Sequence, residues 1–291
     1  MIVIVITIYL NQGIVMNHLA LCILLATTSS VVTAENYSVE TGISFTTKDY
    51  FDQDINASLL DATYYFNHID DSKGPLAEAA FLNKSSELSL KYGYASQEFL
   101  ENYTTWGLGG RYISDTGLIV AIDYTNKGIT YITGEEHIID SGYLEVGAYI
   151  TDVSTLTLSY SSNQNDKIDE DGIISNTASI RYNHLFLMEN DTSIKFNARY
   201  GYTTYRNDKY SDDDFDILDL SGDYYFNHQL SVGLDFMTFK TTHDEAAIKY
   251  GIKSSYFINN KVSFSGAWSL TDIEDISEDV TSFSIDVNAR F

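Results

Sequence analysis

From residue 37 to the end of the chain, apolar and polar residues alternate with a period of two in one segment after another. In residues 280–291, Phe283, Ile285, Val287, Ala289 and Phe291 share one parity, and Ser282, Ser284, Asp286, Asn288 and Arg290 share the other. Successive side chains of a strand point to opposite faces, so the spacing predicts a strand with one greasy and one hydrophilic side. Ile194, Phe196, Ala198, Tyr200 and Tyr202 against Lys195, Asn197, Arg199, Gly201 and Thr203 repeat the pattern, as do Ile248, Tyr250 and Ile252 against Lys249, Gly251 and Lys253. Read this way, the chain predicts about fourteen strands, with about twelve or about sixteen as alternatives. They lie near 37–48, 54–66, 85–94, 103–113, 117–126, 140–150, 154–162, 174–186, 192–205, 215–226, 229–240, 245–257, 261–270 and 280–291.

The charges decide what the two faces meet. In strand after strand the charged residues share one parity and the large apolar residues the other. On a lipid-facing surface a Lys or Arg near the bilayer midplane costs about 2–4 kcal/mol, so a slip of one residue would be heavily penalised. Soluble sandwiches alternate too, but seldom over so many strands of similar length. The predicted fold is all-β: a transmembrane up-and-down antiparallel β-barrel with lipid outside and a wet lumen inside.

The connections also alternate in character. Tyr64-Tyr-Phe-Asn-His68 recurs letter for letter at Tyr224-Tyr-Phe-Asn-His228, with a shorter echo at Tyr182-Asn-His184. With Tyr112–Gly117, Tyr149–Asp152 and Tyr256–Asn260, these predict short periplasmic turns below a girdle of aromatics. The other connections carry acids, such as Asp169, Glu170 and Asp171, or Asp212, Asp213 and Asp214. They read as solvated external loops, or as sites bridged by divalent cations to lipopolysaccharide phosphates.

Composition narrows the class further. The mean hydropathy is -0.14, and past the first ~35 residues no run of ~20 apolar residues could form a membrane helix. Residues 1–34 contain no Asp, Glu, Lys or Arg, and 19–32 are largely apolar, followed by Val32-Thr33-Ala34. This predicts an export signal over 1–34, with Met16 as a possible true start, and a single barrel domain over 35–291. The one cysteine, Cys22, lies in that leader, so disulfides and Cys-based metal sites drop out. A formal net charge of -24 argues against nucleic acid as a partner.

The inward parity supplies charges of both signs. Basic candidates for the pore lining are Lys91, Arg111, Arg181, Lys195, Arg199, Lys249, Lys253 and Arg290; acidic ones are Glu40, Asp61, Glu87, Asp123, Glu145, Asp219, Asp223, Asp235 and Asp286. A barrel of ~14 strands is too wide for side chains alone to fill, so a water-filled passage is expected, with opposed charges setting its selectivity. Acidic loops above a balanced lumen suggest weak cation preference. Two connections could narrow the passage: 67–84, which holds the sole proline, and 127–140, with Glu135 and Glu136. No cofactor or metal is expected. His137 and His243 are the residues around which an outer-membrane hydrolase could assemble, but no motif supports one.

Tyr65-Phe66 and the run Gly74-Pro-Leu-Ala-Glu-Ala-Ala-Phe-Leu82 resemble a family of general porins of Gram-negative bacteria, and C-terminal Phe291 resembles the signal read by the outer-membrane assembly machinery. The resemblance implies passive diffusion of small hydrophilic solutes, outer-membrane lipid and lipopolysaccharide as surroundings, and an option of homo-oligomers. This chain is shorter than sixteen-stranded trimeric porins and lacks their long constriction loop. A structural or adhesive barrel acting through its acidic loops is the alternative.

Overall fold

The computed structural model describes residues 36–50, 53–97, 101–131, 133–134, 136–165, 173–206, 213–241, 246–273 and 279–291. The expected export segment with Cys22, together with Glu135 and His243, lies outside the described residues. Fourteen strands follow in order: β1 (Asn36–Tyr50), β2 (Gln53–Asp70), β3 (Glu87–Gln97), β4 (Glu101–Ile113), β5 (Leu118–Tyr131), β6 (Glu136–Thr151) and β7 (Ser154–Asn165). They continue as β8 (Ile173–Leu187), β9 (Ser193–Arg206), β10 (Asp213–Tyr225), β11 (Leu230–Thr241), β12 (Ala246–Asn259), β13 (Val262–Ile273) and β14 (Val280–Arg290).

Each strand pairs antiparallel with its sequence neighbours, and β1 pairs with β14, so the sheet is a closed barrel. Closure leaves no strand edge, which is what a backbone in hydrocarbon requires. Phe291 completes the seam: its N–H donates to the Val39 carbonyl at 2.9 Å, and its own carbonyl accepts from Ser38 and Val39.

Cross-strand partners share a face, so the register carries one parity round the whole barrel. On the outward side Phe283, Trp268, Ile252 and Leu234 form one continuous row. All four are about half exposed, as are Leu90, Trp106, Ile122 and Leu158. So many exposed large apolar side chains make a lipid-facing belt, not a soluble surface.

The structure corrects three local expectations. Residues 127–131 and 136–140 are strand, not loop: β5 and β6 stay paired from Asn126↔Asp140 to Thr130↔Glu136, because β-branched Ile129, Ile138 and Ile139 continue the pleat. Asn67-His68 and Tyr182-Asn-His184 are strand, not turn. β2 runs on to Asp70 against the start of β1, where Tyr37 pairs with Ile69 past a bulge, and the turn after β8 uses Asn190 and Asp191 at φ 63° and 61°. The second copy of the repeat does turn, with Asn227 Oδ1 accepting from Gln229 and Leu230 N–H at 2.8 and 2.9 Å.

A charged lumen crossed by a strap

The inward parity carries every predicted pore-lining charge. A row of pairs links Arg181 to Arg199 to Asp219 across β8–β10, and a second links Lys195 to Asp223, Gly233 and Lys253 across β9–β12. Lys91 pairs with Asp61, Arg111 with Glu87, Asp123 with Gly109, Asp235 with Gly251, Lys249 with Met237, and Asp286 with Ser44. Glu136, expected at a constriction, has the outward parity at the external end of β6 and lines nothing inside.

Most cations of this lining are neutralised locally. Arg111 is paired with Glu145, whose second oxygen lies 4.0 Å from Arg181. Tyr143 and Thr157 donate to the same carboxylate at 2.8 and 3.2 Å, leaving Glu145 buried and satisfied. Arg199 meets Asp219 at 3.4 Å, and Lys253 reaches both Asp223 and Asp235 at 3.3 and 3.0 Å. Gly233 makes that last bridge possible, since a Cβ there would collide with the Asp223 carboxylate and the Lys253 stem.

The longest connection, between β2 and β3, does not stay at its own rim. Asp70 caps its start, accepting from Ser72 N–H at 3.0 Å. Two short 3₁₀ turns (Asp71–Lys73 and Leu76–Glu78) lead into a four-residue helix, α1 (Ala79–Leu82). Asn83 locks the base, donating to the carbonyls of Asp70 and Ala79 at 2.7 Å each. Lys84 turns the chain back at φ 49°. Its ammonium is tied to Asp152 at 2.7 Å, and that hydrogen bond and the lysine charge hold the Asp152 carboxyl below the usual aspartate range.

What this strap touches shows its course. Leu76 N–H donates to the His228 carbonyl at 2.9 Å, and the Leu76 carbonyl accepts from Arg290 of β14 at 3.0 Å. Tyr149 of β6 donates to the Phe81 carbonyl at 2.8 Å. Glu78 accepts from Lys195 Nζ at 2.9 and 2.8 Å and from the Tyr225 hydroxyl at 2.6 Å. Lys195 and Tyr225 sit on β9 and β10, seven strands round from β2 and β3. Fourteen strands ~4.8 Å apart and tilted ~40° give a barrel roughly 28 Å across, too wide for facing wall side chains to meet. The strap therefore spans the lumen at the end that carries Asn36 and Phe291, the end the sequence pattern assigns to the periplasm.

Beneath it lies a buried floor. Tyr37, Tyr65, Ile69 and Ala79 form one buried cluster, and Pro75, Leu76, Leu185 and Phe257 are buried too. The Arg290 guanidinium sits 4.6 Å from both the Tyr37 and Phe257 ring centres while donating to Glu40 at 2.6 Å. The periodicity of the strands located the wall charges. Glu78, Tyr225 and Tyr149 escaped it, and the one signal for Glu78 was a lone acid in an otherwise apolar run.

A closed fourteen-strand barrel, greasy outside and charged within, defines the class of outer-membrane channels. The chain belongs to the family described as "Putative general bacterial porin", whose model matches residues 16–291. Among solved structures it resembles the outer membrane protein Omp33 of Acinetobacter baumannii, at TM-score 0.60 and 18% identity over 88% of this chain and 99% of that one. It also resembles the CymD monoaromatic hydrocarbon channel, at TM-score 0.56 and 7% identity over 88% and 89%, and a bacterial polysaccharide outer membrane secretin, at TM-score 0.52 and 9% identity over 89% and 99%. At such identities these likenesses speak for the fold alone. No curated protein matches the chain.

Proposed function

We propose that the barrel is a general porin, a passage for passive diffusion of small hydrophilic solutes, with the β2–β3 strap setting the size limit at the periplasmic end. One observation carries this reading: a wall lined with charges of both signs encloses a space its own side chains cannot fill. By the strand bounds the external connections run from two residues, between β1 and β2, to seven, between β7 and β8. Little surface is left for an adhesive role.

The lining favours cations. Among the described residues no ion pair engages Asp61, Glu87, Asp123 or Asp286, which lie on β14 and β2–β5. Against these four free carboxylates stand two uncommitted luminal lysines, Lys91 and Lys249, while the cations facing them from β9 and β12 are otherwise paired. Uncompensated charge along one wall sets the local ion concentration. Planar-bilayer recording of the purified barrel should show stepwise conductance with a reversal potential toward the cation in a salt gradient. A silent bilayer would remove the porin reading, and an anion-directed potential would remove the selectivity.

A further inference from the structure

We propose that Lys195 and Tyr225 form a luminal binding site for small carboxylate-bearing solutes, that the strap's own Glu78 occupies it, and that a competing solute releases the strap. The inference rests on the channel reading and adds to it a ligand class and a gate. Glu78 sits as a bound carboxylate would, both oxygens engaged by the Lys195 ammonium and one also by the Tyr225 hydroxyl. It is 5% exposed, whereas the Lys195 side chain keeps 28% of its surface open. An ammonium has three donors and Glu78 takes two, so a solute carboxylate can approach the third from the lumen before Glu78 leaves.

Competition here is effective because Glu78 is nearly dehydrated. A buried carboxylate whose counter-charge is shared or lost is no longer held by burial and is driven toward water. Asp223, the register partner of Lys195, is already engaged by Lys253. The remaining ties of the strap's middle are hydrogen bonds at the Gly74, Leu76 and Phe81 backbone and the packing of Leu76, Ala79 and Phe81 against the wall; water can replace the hydrogen bonds once the carboxylate has left.

The test reads the strap itself, so it does not depend on conduction. Folded barrel in detergent is treated with trypsin, and cleavage after Lys73 and Lys84 is timed in potassium chloride, acetate and succinate at equal ionic strength. Wild type should be cut slowly in chloride and several-fold faster in the carboxylate salts, with a saturable dependence on concentration. Glu78→Gln, and Lys195→Met from the other side of the pair, should be cut fast in all three salts. Heat-modified mobility on gels confirms that each variant is a closed barrel. Equal rates for wild type in chloride and carboxylates overturn the proposal, as does slow cleavage of a correctly folded Glu78→Gln barrel.

Discussion

Glu145 shows how an inward-facing acid is made tolerable: Arg111, Arg181, Tyr143 and Thr157 converge on one carboxylate. Removing only the carboxylate would strand two guanidiniums against a shielded wall. A fully buried pair broken this way costs about 3–5 kcal/mol, and the partial exposure of Arg111 brings the expected loss for Glu145→Ala to about 2 kcal/mol. Urea unfolding in detergent should show that loss, and Arg111→Met/Glu145→Met together should recover much of it. Outward acids are handled by different means. Asp214 and Asp216 accept from the Tyr202 and Tyr200 hydroxyls at 2.5 Å each, at the external margin where lipid-face charge costs little. Asp214 was expected in a loop; Tyr202 and Tyr200, four and six residues before the end of β9, let the ladder continue beneath both acids.

At the level of elements, the strap is fixed by a few polar ties and by the small apolar cluster that Leu76 and Ala79 join at the wall. The Lys84–Asp152 pair is fully in water at its carboxylate end, so its effect is small, but its pH dependence has a definite sign. The folded carboxyl is held below its unfolded value, so the stabilisation is present above the ordinary aspartate range and fades as pH falls through the depressed value. Asp152→Asn should therefore lower the melting temperature slightly near about pH 7 and not at all near about pH 2, and equal effects at both would refute this. The strands were legible in the sequence because lipid on one side and water on the other impose a strict period of two. The strap was legible only as a long connection with a proline. Which wall it meets depends on closure of the barrel, a non-local fact that no local pattern encodes. The repeated Tyr-Tyr-Phe-Asn-His shows the same limit: Asn227 turns the chain, while its twin Asn67 stays in a strand because the first residues of β1 come to pair beyond it.

Considered whole, the barrel separates two tasks. The closed hydrogen-bonded seam from β1 to β14 carries its integrity, whereas the strap, which we propose governs passage, contributes no strand pairing. Replacing residues 75–82 with a short Gly-Ser turn should thus leave a folded, heat-modifiable barrel. The buried faces of Tyr37, Tyr65 and Ile69 would meet water, a loss of about 2–4 kcal/mol by area that lowers stability without opening the seam. The lumen at its periplasmic end would widen toward the limit set by the wall. Liposome swelling with sugars of increasing size should show a sharp size cut-off for the wild type and a shifted, larger one for the strapless variant, with conductance raised several-fold. An unchanged cut-off would place the narrowest point elsewhere on the wall, and a variant that fails to close would show that the strap belongs to the architecture and not to the gate.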